Sequence, residues 1–371
     1  MKRSYLRLLA PLLALMLAAT ACGGDGDGDT GAETETETET GTDTETDSPT
    51  ETETDSAEAT RVGLVFDIGG RGDQSFNDAA ARGLEQAQDE FNIESRELEP
   101  EGGGENREEL LRLLAEDGFP LVFAVGFLFS DSVAAIAPNF PETTFGLIDS
   151  VVDEPNVASL VFAEEQGSFL VGAIAALESE TGKIGFIGGV ETELIQKFEA
   201  GFVAGAQHIN PDIEVDVKYI TQPPDFSGFN DPAKGKEIAL AQFNDGADVV
   251  YHAAGGSGSG LFDAAREVSE QSESKVWAIG VDSDQYQTAD EAVQEYILTS
   301  MLKRVDVAVF ETIKGFVEGE DVSGTQVFDL SVDGVGYSTS GGFVDEYVDQ
   351  VEELKQQIID GEIEVPTTPG G

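Results

Sequence analysis

The chain has 371 residues, enough for two domains with a sizeable core. Its formal net charge is −53, from 73 acidic against 20 basic side chains. That balance argues against nucleic acid, whose phosphates need clusters of Lys and Arg, and it repels anionic small ligands; a neutral ligand fits the field best.

Residues 1–22 have the anatomy of an export signal. Lys2, Arg3 and Arg7 form a basic start, an apolar run covers 8–19, and small residues follow. The run is shorter than the roughly 20 residues needed to span a bilayer, so a retained anchor is the lesser alternative. Cys22, the only cysteine, follows Ala18-Ala19-Thr20-Ala21. No intrachain disulfide can form and no structural zinc site is expected. Its position resembles the lipobox of bacterial lipoproteins, in which the cysteine is acylated, although Ala19 stands where leucine is usual.

Residues 23–60 hold 14 Asp or Glu and no Lys or Arg, in a Thr-Glu and Thr-Asp repeat. With no apolar face to bury and like charges in repulsion, this stretch is expected to be a disordered, extended tether; an acidic partner-binding tail is the alternative. As flexible coil it spans on the order of 35 Å. Beyond it the chain still carries 59 acidic and 17 basic residues, so the tether does not explain the acidity. Dense surface carboxylates stay hydrated in concentrated salt, which screens their repulsion, and this points to a salt-rich habitat.

From residue 61 short apolar runs alternate with amphipathic stretches. Strands are predicted at 61–67, 120–126, 144–149, 183–189, 248–255 and 275–282. Helices are predicted at 79–91, 107–117, 129–136, 166–178, 192–208, 232–245, 261–270 and 342–360, the last stopping before Gly361. Continuous apolar strands interleaved with helices indicate an α/β protein with parallel sheets covered on both faces. A second series begins near Lys183, so two doubly wound lobes with a cleft between them are expected. Strand ends would line that cleft: Asp67, Gly126, Asp149, Gly189, Gly255 and Asp282.

The stretch Asp67-Ile68-Gly69-Gly70-Arg71-Gly72-Asp73-Gln74-Ser75-Phe76-Asn77-Asp78 joins the first strand to the first helix, with Ser75 or Asp73 as its cap. A second glycine run, 255–260, matches neither the G-x-G-x-x-G fingerprint, since Leu261 takes the last glycine's place, nor the P-loop. Backbone approach to a sugar, with Gly255 or Gly256 nearest, is the better reading. His208 and His252 lie on different elements without a nucleophile at a catalytic spacing, so no enzyme, metal or cofactor is expected.

The run from Asp67 to Asn77 resembles the opening motif of the basic membrane protein (BMP) family, whose best-known members are purine nucleoside receptor lipoproteins of ABC importers. The likeness continues through Phe145-Gly146-Leu147-Ile148-Asp149, Glu165-Gln166-Gly167-Ser168-Phe169, Asn230-Asp231-Pro232, His252-Ala253-Ala254-Gly255-Gly256 and Gly280-Val281-Asp282-Ser283. It closes on Ser300-Met301-Leu302-Lys303-Arg304-Val305-Asp306, so it covers about residues 61–340.

The resemblance implies a type I periplasmic binding protein fold: two Rossmann-like lobes joined by a three-strand hinge, closing on their ligand. Crossings are expected near Ala163, Ser283 and Gly324. The first lobe would then comprise 61–163 and 284–323, the second 164–283 and 324–361, with 362–371 a flexible tail. It further implies that Phe76 and Phe229 stack on a nucleobase, that Asp67, Asn77 and Asp149 sit near the base edge, and that Asp282 and Lys303 hold the ribose hydroxyls. The bland alternatives are core packing for the phenylalanines, an N-cap for Asp282 and a surface lysine for Lys303. The expected role is capture of a nucleoside by a monomeric, lipid-anchored extracytoplasmic protein that delivers it to ABC permease subunits. The alternatives are another neutral ring ligand, such as riboflavin or a sugar, and a sensory relay without transport.

Overall fold

The computed structural model describes residues 59–272 and 274–370. The expected leader, Cys22 and all but the last two residues of the expected tether lie outside the described residues.

The chain opens with β1 (Thr60–Val65), α1 (Phe76–Glu90), β2 (Ile93–Leu98), α2 (Arg107–Glu116), β3 (Leu121–Ala124), α3 (Ser130–Ile136), β4 (Thr144–Ile148) and β5 (Val157–Phe162). There follow α4 (Glu164–Glu178), β6 (Lys183–Val190), α5 (Glu193–Ile209), β7 (Glu214–Thr221), α6 (Pro232–Asn244), β8 (Val249–Ala253), α7 (Ser259–Gln271) and β9 (Trp277–Asp282). Two single-turn helices, α8 (Gln285–Thr288) and α9 (Glu291–Gln294), lead to β10 (Ile297–Lys303), α10 (Val305–Glu318), β11 (Gly324–Phe328), β12 (Val335–Tyr337) and α11 (Val348–Ile359).

The strands form two six-stranded sheets, ordered β11-β5-β4-β3-β1-β2 and β12-β10-β9-β8-β6-β7. Every pairing is parallel except that of β12 with β10. The two orders superimpose when β1 is matched to β6, β4 to β9 and β5 to β10, so the lobes are copies of one plan. The inner strands β3 and β8 are buried throughout, as parallel strands covered on both faces must be. In the first lobe Leu64, Leu84, Val309 and Ile313 fill one face, and Leu114, Val122, Val133 and Phe145 the other. In the second, Phe186, Phe202 and Tyr251 fill one face, and Val250, Leu261 and Phe262 the other.

The chain exchanges lobes at symmetric points. It leaves β5 of the first sheet for α4, which packs on α5, and leaves β10 of the second sheet for α10, which packs on α1. Both helix pairs meet on glycine. A Cβ on Gly83 of α1 would overlap the carbonyl of Asp306, the second residue of α10, and one on Gly201 of α5 would overlap that of Glu165, the second residue of α4.

The chain passes from β5 of the first sheet into α4 at Ala163, while the other two crossings fall elsewhere than expected. Residue 283 does not change lobe, because β10 continues the second sheet beside β9, and the chain crosses at Arg304 instead. Gly324 opens β11, which pairs with β5 in the first sheet, so the third crossing falls between Phe328 and Val335. Thr299, Ser300 and Lys303 break the apolar run of β10, and β11 is a half-exposed edge, so neither has the continuous apolar pattern of an inner strand. The tail also departs from expectation: Ile363 and Val365 pack against the core.

Candidate functional site

The loop after β1 is built almost wholly by its own carboxylates and amide. Asp73 caps α1, its oxygens accepting the backbone N–H groups of Ser75 (2.9 Å), Asn77 (2.8 Å) and Asp78 (3.1 Å). Asn77 Oδ1 accepts the N–H of Asp67 at 2.9 Å, while its Nδ2 donates to the Ile68 carbonyl (3.3 Å) and to Asp73 Oδ2 (3.0 Å). Asp67 Oδ1 accepts from the N–H of Ile68 at 2.8 Å and from Arg107 Nη2 at 2.9 Å. Gly69 and Gly70 have φ of 98° and 58°, a left-handed turn that side chains resist.

This loop forms one wall of a concave cleft with about 600 Å³ of empty space, part of it open to solvent. All eight residues singled out from the sequence line it: Asp67, Phe76, Asn77, Asp149, Phe229, Gly255, Asp282 and Lys303. Phe76 comes from the first lobe and Phe229 from the second. At the cleft, Phe127 of the first lobe meets Phe226 and Phe229 edge-on, with centroids 6.2 and 6.4 Å apart. The Phe229 segment lies so close to β6 and β8 that glycine is needed at 189, where a Cβ would sit 2.6 Å from the Phe229 ring. Gly255, at φ 54°, would bring a Cβ to 3.2 Å from the Phe229 carbonyl.

Asp149 and Asp282 occupy equivalent positions at the ends of β4 and β9, and both adopt left-handed φ, 67° and 63°. Non-glycine residues hold such angles at a cost of about 1–3 kcal/mol, commonly at functional sites. Lys303 ends β10, only 2 % exposed, with Nζ 2.6 Å from Asp149 and 3.4 Å from Glu164. The ammonium also lies 5.0 Å from the Phe76 and Phe162 ring centroids. Lys197 reaches the second oxygen of Glu164 at 3.2 Å. Asp282 Oδ2 accepts from Ser75 Oγ at 2.5 Å, across the lobes.

Three buried carboxylates thus surround one buried ammonium. Burial alone would lower the Lys303 pKa, but Asp149, Glu164 and Asp282 together outweigh it and hold the ammonium charged. The acids carry the imbalance. Burial pushes Asp149 up to about 7, with Lys303 offsetting only part and Glu164 adding to the rise. Burial likewise raises Asp282 to about 6 against the pull of Lys303 and Ser75. Burial also raises Asp67 despite Arg107.

Sequence reasoning missed several members of this site. Glu164 is fully buried against Lys303, yet in so acidic a chain one more Glu-Glu pair carries no signal. Arg107 looked like the first residue of a surface helix but pins Asp67 and reaches the carbonyls of Gly103 and Gly104. Ser75 was weighed only as a cap. Phe127 and Phe198 also line the cleft but were not singled out from the sequence. Asn77 lies at the cleft wall, but its amide is committed to the loop at both ends.

A family model described as Bmp, ABC transporter substrate-binding protein PnrA-like, matches residues 60–369. The chain belongs to this family. Its Bmp-family relatives include the ABC transporter nucleoside-binding protein BmpA of Lactococcus lactis subsp. cremoris, 36% identical over 325 residues that cover 83% of this chain and 89% of that one. An uncharacterized lipoprotein of Pyrococcus abyssi is 34% identical over 287 residues, 76% of this chain and 69% of its own. Among solved structures, an ABC transporter system solute-binding protein from Aeropyrum pernix K1 aligns with a TM-score of 0.73 and 31% identity, over 83% of this chain and 94% of that one. The Bmp chain has the α/β, type I solute-binding architecture anticipated from its motifs, and it is a substrate-binding protein of the ABC-transporter class.

Proposed function

We propose that this Bmp protein captures a neutral purine nucleoside between its lobes and presents it to an ABC importer from a lipid anchor at Cys22. The base lies between Phe76 and Phe229, each stacking face contributing about 1–3 kcal/mol. Asp282 accepts from the ribose hydroxyls, Lys303 donates to them, and Asp67 and Asp149 meet donors on the base edge. Gly255 lets backbone approach the sugar.

One observation carries the reading. The cleft has aromatic rings on opposing lobes, and Lys303, the one basic residue among its described lining residues, is already surrounded by three carboxylates. Such a site favours a flat, uncharged ring with donor groups and repels phosphate. The relative named as nucleoside-binding supports the same class.

Calorimetry with adenosine, guanosine, inosine, uridine, riboflavin, ribose and inosine monophosphate tests this, at low and at molar salt. Purine nucleosides should bind, and the monophosphate should bind at least about 100-fold more weakly, since a buried unpaired charge costs several kcal/mol. Binding of ribose or the monophosphate in preference to every nucleoside refutes the proposal. Metabolic labelling with a radioactive fatty acid, lost in Cys22→Ala, tests the anchor.

A further inference from the structure

Beside the cleft, polar groups of the first lobe and the second are joined directly. Ser75 Oγ donates to Asp282 Oδ2, and Ser283 Oγ donates to the Ser75 carbonyl at 2.8 Å. The Gln74 carbonyl accepts twice, from Gln285 Nε2 at 3.2 Å and from Thr288 Oγ1 at 3.1 Å. Gln74 itself sits at φ 55°, with its N–H held by Asp78 Oδ2 at 2.9 Å. A side-chain-bearing residue in this conformation persists only where its surroundings fix it.

Gln285 is aimed at Gln74 by a buried histidine. Its Oε1 accepts the N–H of Val281 at 2.8 Å and lies 3.0 Å from His252 Nε2. A backbone N–H can only donate, so that end of the amide is the oxygen, and His252 Nε2 must carry the proton. Its Nδ1 is buried without a partner, as the bare nitrogen of that tautomer. Burial depresses the His252 pKa to about 4, so the ring stays neutral. With both donors on its oxygen, Gln285 has only its NH₂ group to offer across the interface. Neither Ser75 nor Gln285 is among the residues lining the cavity.

We propose that Ser75 and Gln285 form an interlobe latch that holds the cleft shut and thereby sets how long the ligand stays, without touching it. The dwell-time half rests on the ligand reading above; the closing half does not. Ser75 acts through Asp282, so the carboxylate that meets the ligand is oriented only when the lobes are together. Gln285 acts through the Gln74 carbonyl. Gln285 and Thr288 donate to a neutral carbonyl and the Ser75–Asp282 bond is buried, so salt screens these bonds little, which suits a chain of net charge −53.

Gln285→Glu separates the latch from the fold. One carboxylate oxygen still accepts from Val281 and His252, while the other faces the Gln74 carbonyl and repels it. Protonating the glutamate restores a donor. Spin labels at Glu116→Cys in the first lobe and Glu270→Cys in the second, in the full chain carrying Cys22→Ser, report lobe separation without ligand. The expected result is a longer distance for Gln285→Glu than for the unmutated background near pH 8, and recovery near pH 5. With inosine as probe, dissociation should be about tenfold faster near pH 8 with association nearly unchanged, the size expected for one lost hydrogen bond. Ser75→Ala should also speed dissociation, with no acid recovery. Distances equal to those of the unmutated background at both pH values overturn the latch. Failure of the unmutated chain to bind inosine or any other nucleoside overturns only the ligand reading, since the distance measurement still decides the latch.

Discussion

Replacing Lys303 by Met removes one charge and keeps most of the side-chain volume against Phe76, Phe162 and Phe198. What remains is three carboxylates, Asp149, Glu164 and Asp282, none more than 7 % exposed, with only Lys197 at the far oxygen of Glu164. Breaking a buried ion pair by removing one partner costs about 3–5 kcal/mol, because the abandoned charge stays desolvated. Protons relieve that cost. Asp149 and Asp282 already titrate near 7 and near 6 in the folded protein, above the ordinary 3.8. A raised acid pKa means the folded state binds more protons than the unfolded state between those values. Stability from these groups is therefore greatest at low pH and is lost as pH climbs through 6 and 7. Losing the ammonium raises both pKa values further, so the deficit of Lys303→Met should grow from about 1–2 kcal/mol near pH 5 to about 3–5 kcal/mol near pH 8. Urea unfolding of both proteins at several pH values in fixed salt measures it. Adding Asp149→Asn to the variant should recover part of the loss near pH 8. A deficit that is constant with pH, or below about 1 kcal/mol throughout, refutes the idea that Lys303 neutralises a surplus of buried acid.

Phe76→Ala and Phe229→Ala should each weaken purine nucleoside binding by about 1–3 kcal/mol, roughly 5- to 150-fold, in titration calorimetry; unchanged affinity in both rules out the sandwich. Nucleoside affinity should be flat only above about pH 8, then fall as Asp149 protonates near 7 and Asp282 near 6, by up to tenfold per unit for each, because a protonated carboxyl accepts fewer donors. A pH-independent affinity between about 5 and 8 removes Asp282 from the ribose contact. Gly201→Ala and Gly83→Ala force apart helix pairs that meet backbone to backbone, so each should destabilise the fold by about 1–3 kcal/mol in urea, and a neutral result at either position contradicts the close crossing.

Six strands with one dominant environment were legible in sequence, although β5, buried almost throughout, went unread. β1, β3, β4, β6, β8 and β9 begin and end within two residues of their apolar runs, because strands buried on both faces have no room for polar residues. β2 (Ile93–Leu98) and β7 (Glu214–Thr221) went unseen as outer strands whose faces meet solvent. The repeat of the βα series was legible from Lys183 onward, but its strand-for-strand match, with Asp149 and Asp282 at equivalent positions, shows only in the sheet orders. At the site, the eight residues taken from the sequence all line the cleft, yet they are fewer than half of its lining, and the third acid on Lys303, Glu164, shows only in the structure. Glu164, Arg107 and Ser75 acquire their roles from tertiary neighbours: Ser75 and Asp282 are 207 positions apart. In a chain with 73 acids, a buried carboxylate looks like a solvated one until its surroundings are known.

The exchange of α4 and α10 between lobes has a consequence for biogenesis. The first sheet begins with β1 but lacks its outer strand until β11, and α1 lacks its covering helix until α10 has been made. A nascent chain that ends before Phe328 therefore holds no finished lobe, only exposed apolar faces waiting for late segments. The second lobe closes later still, with β12 and α11. This timing keeps almost the whole described length uncompacted and threadable until its last strands are made.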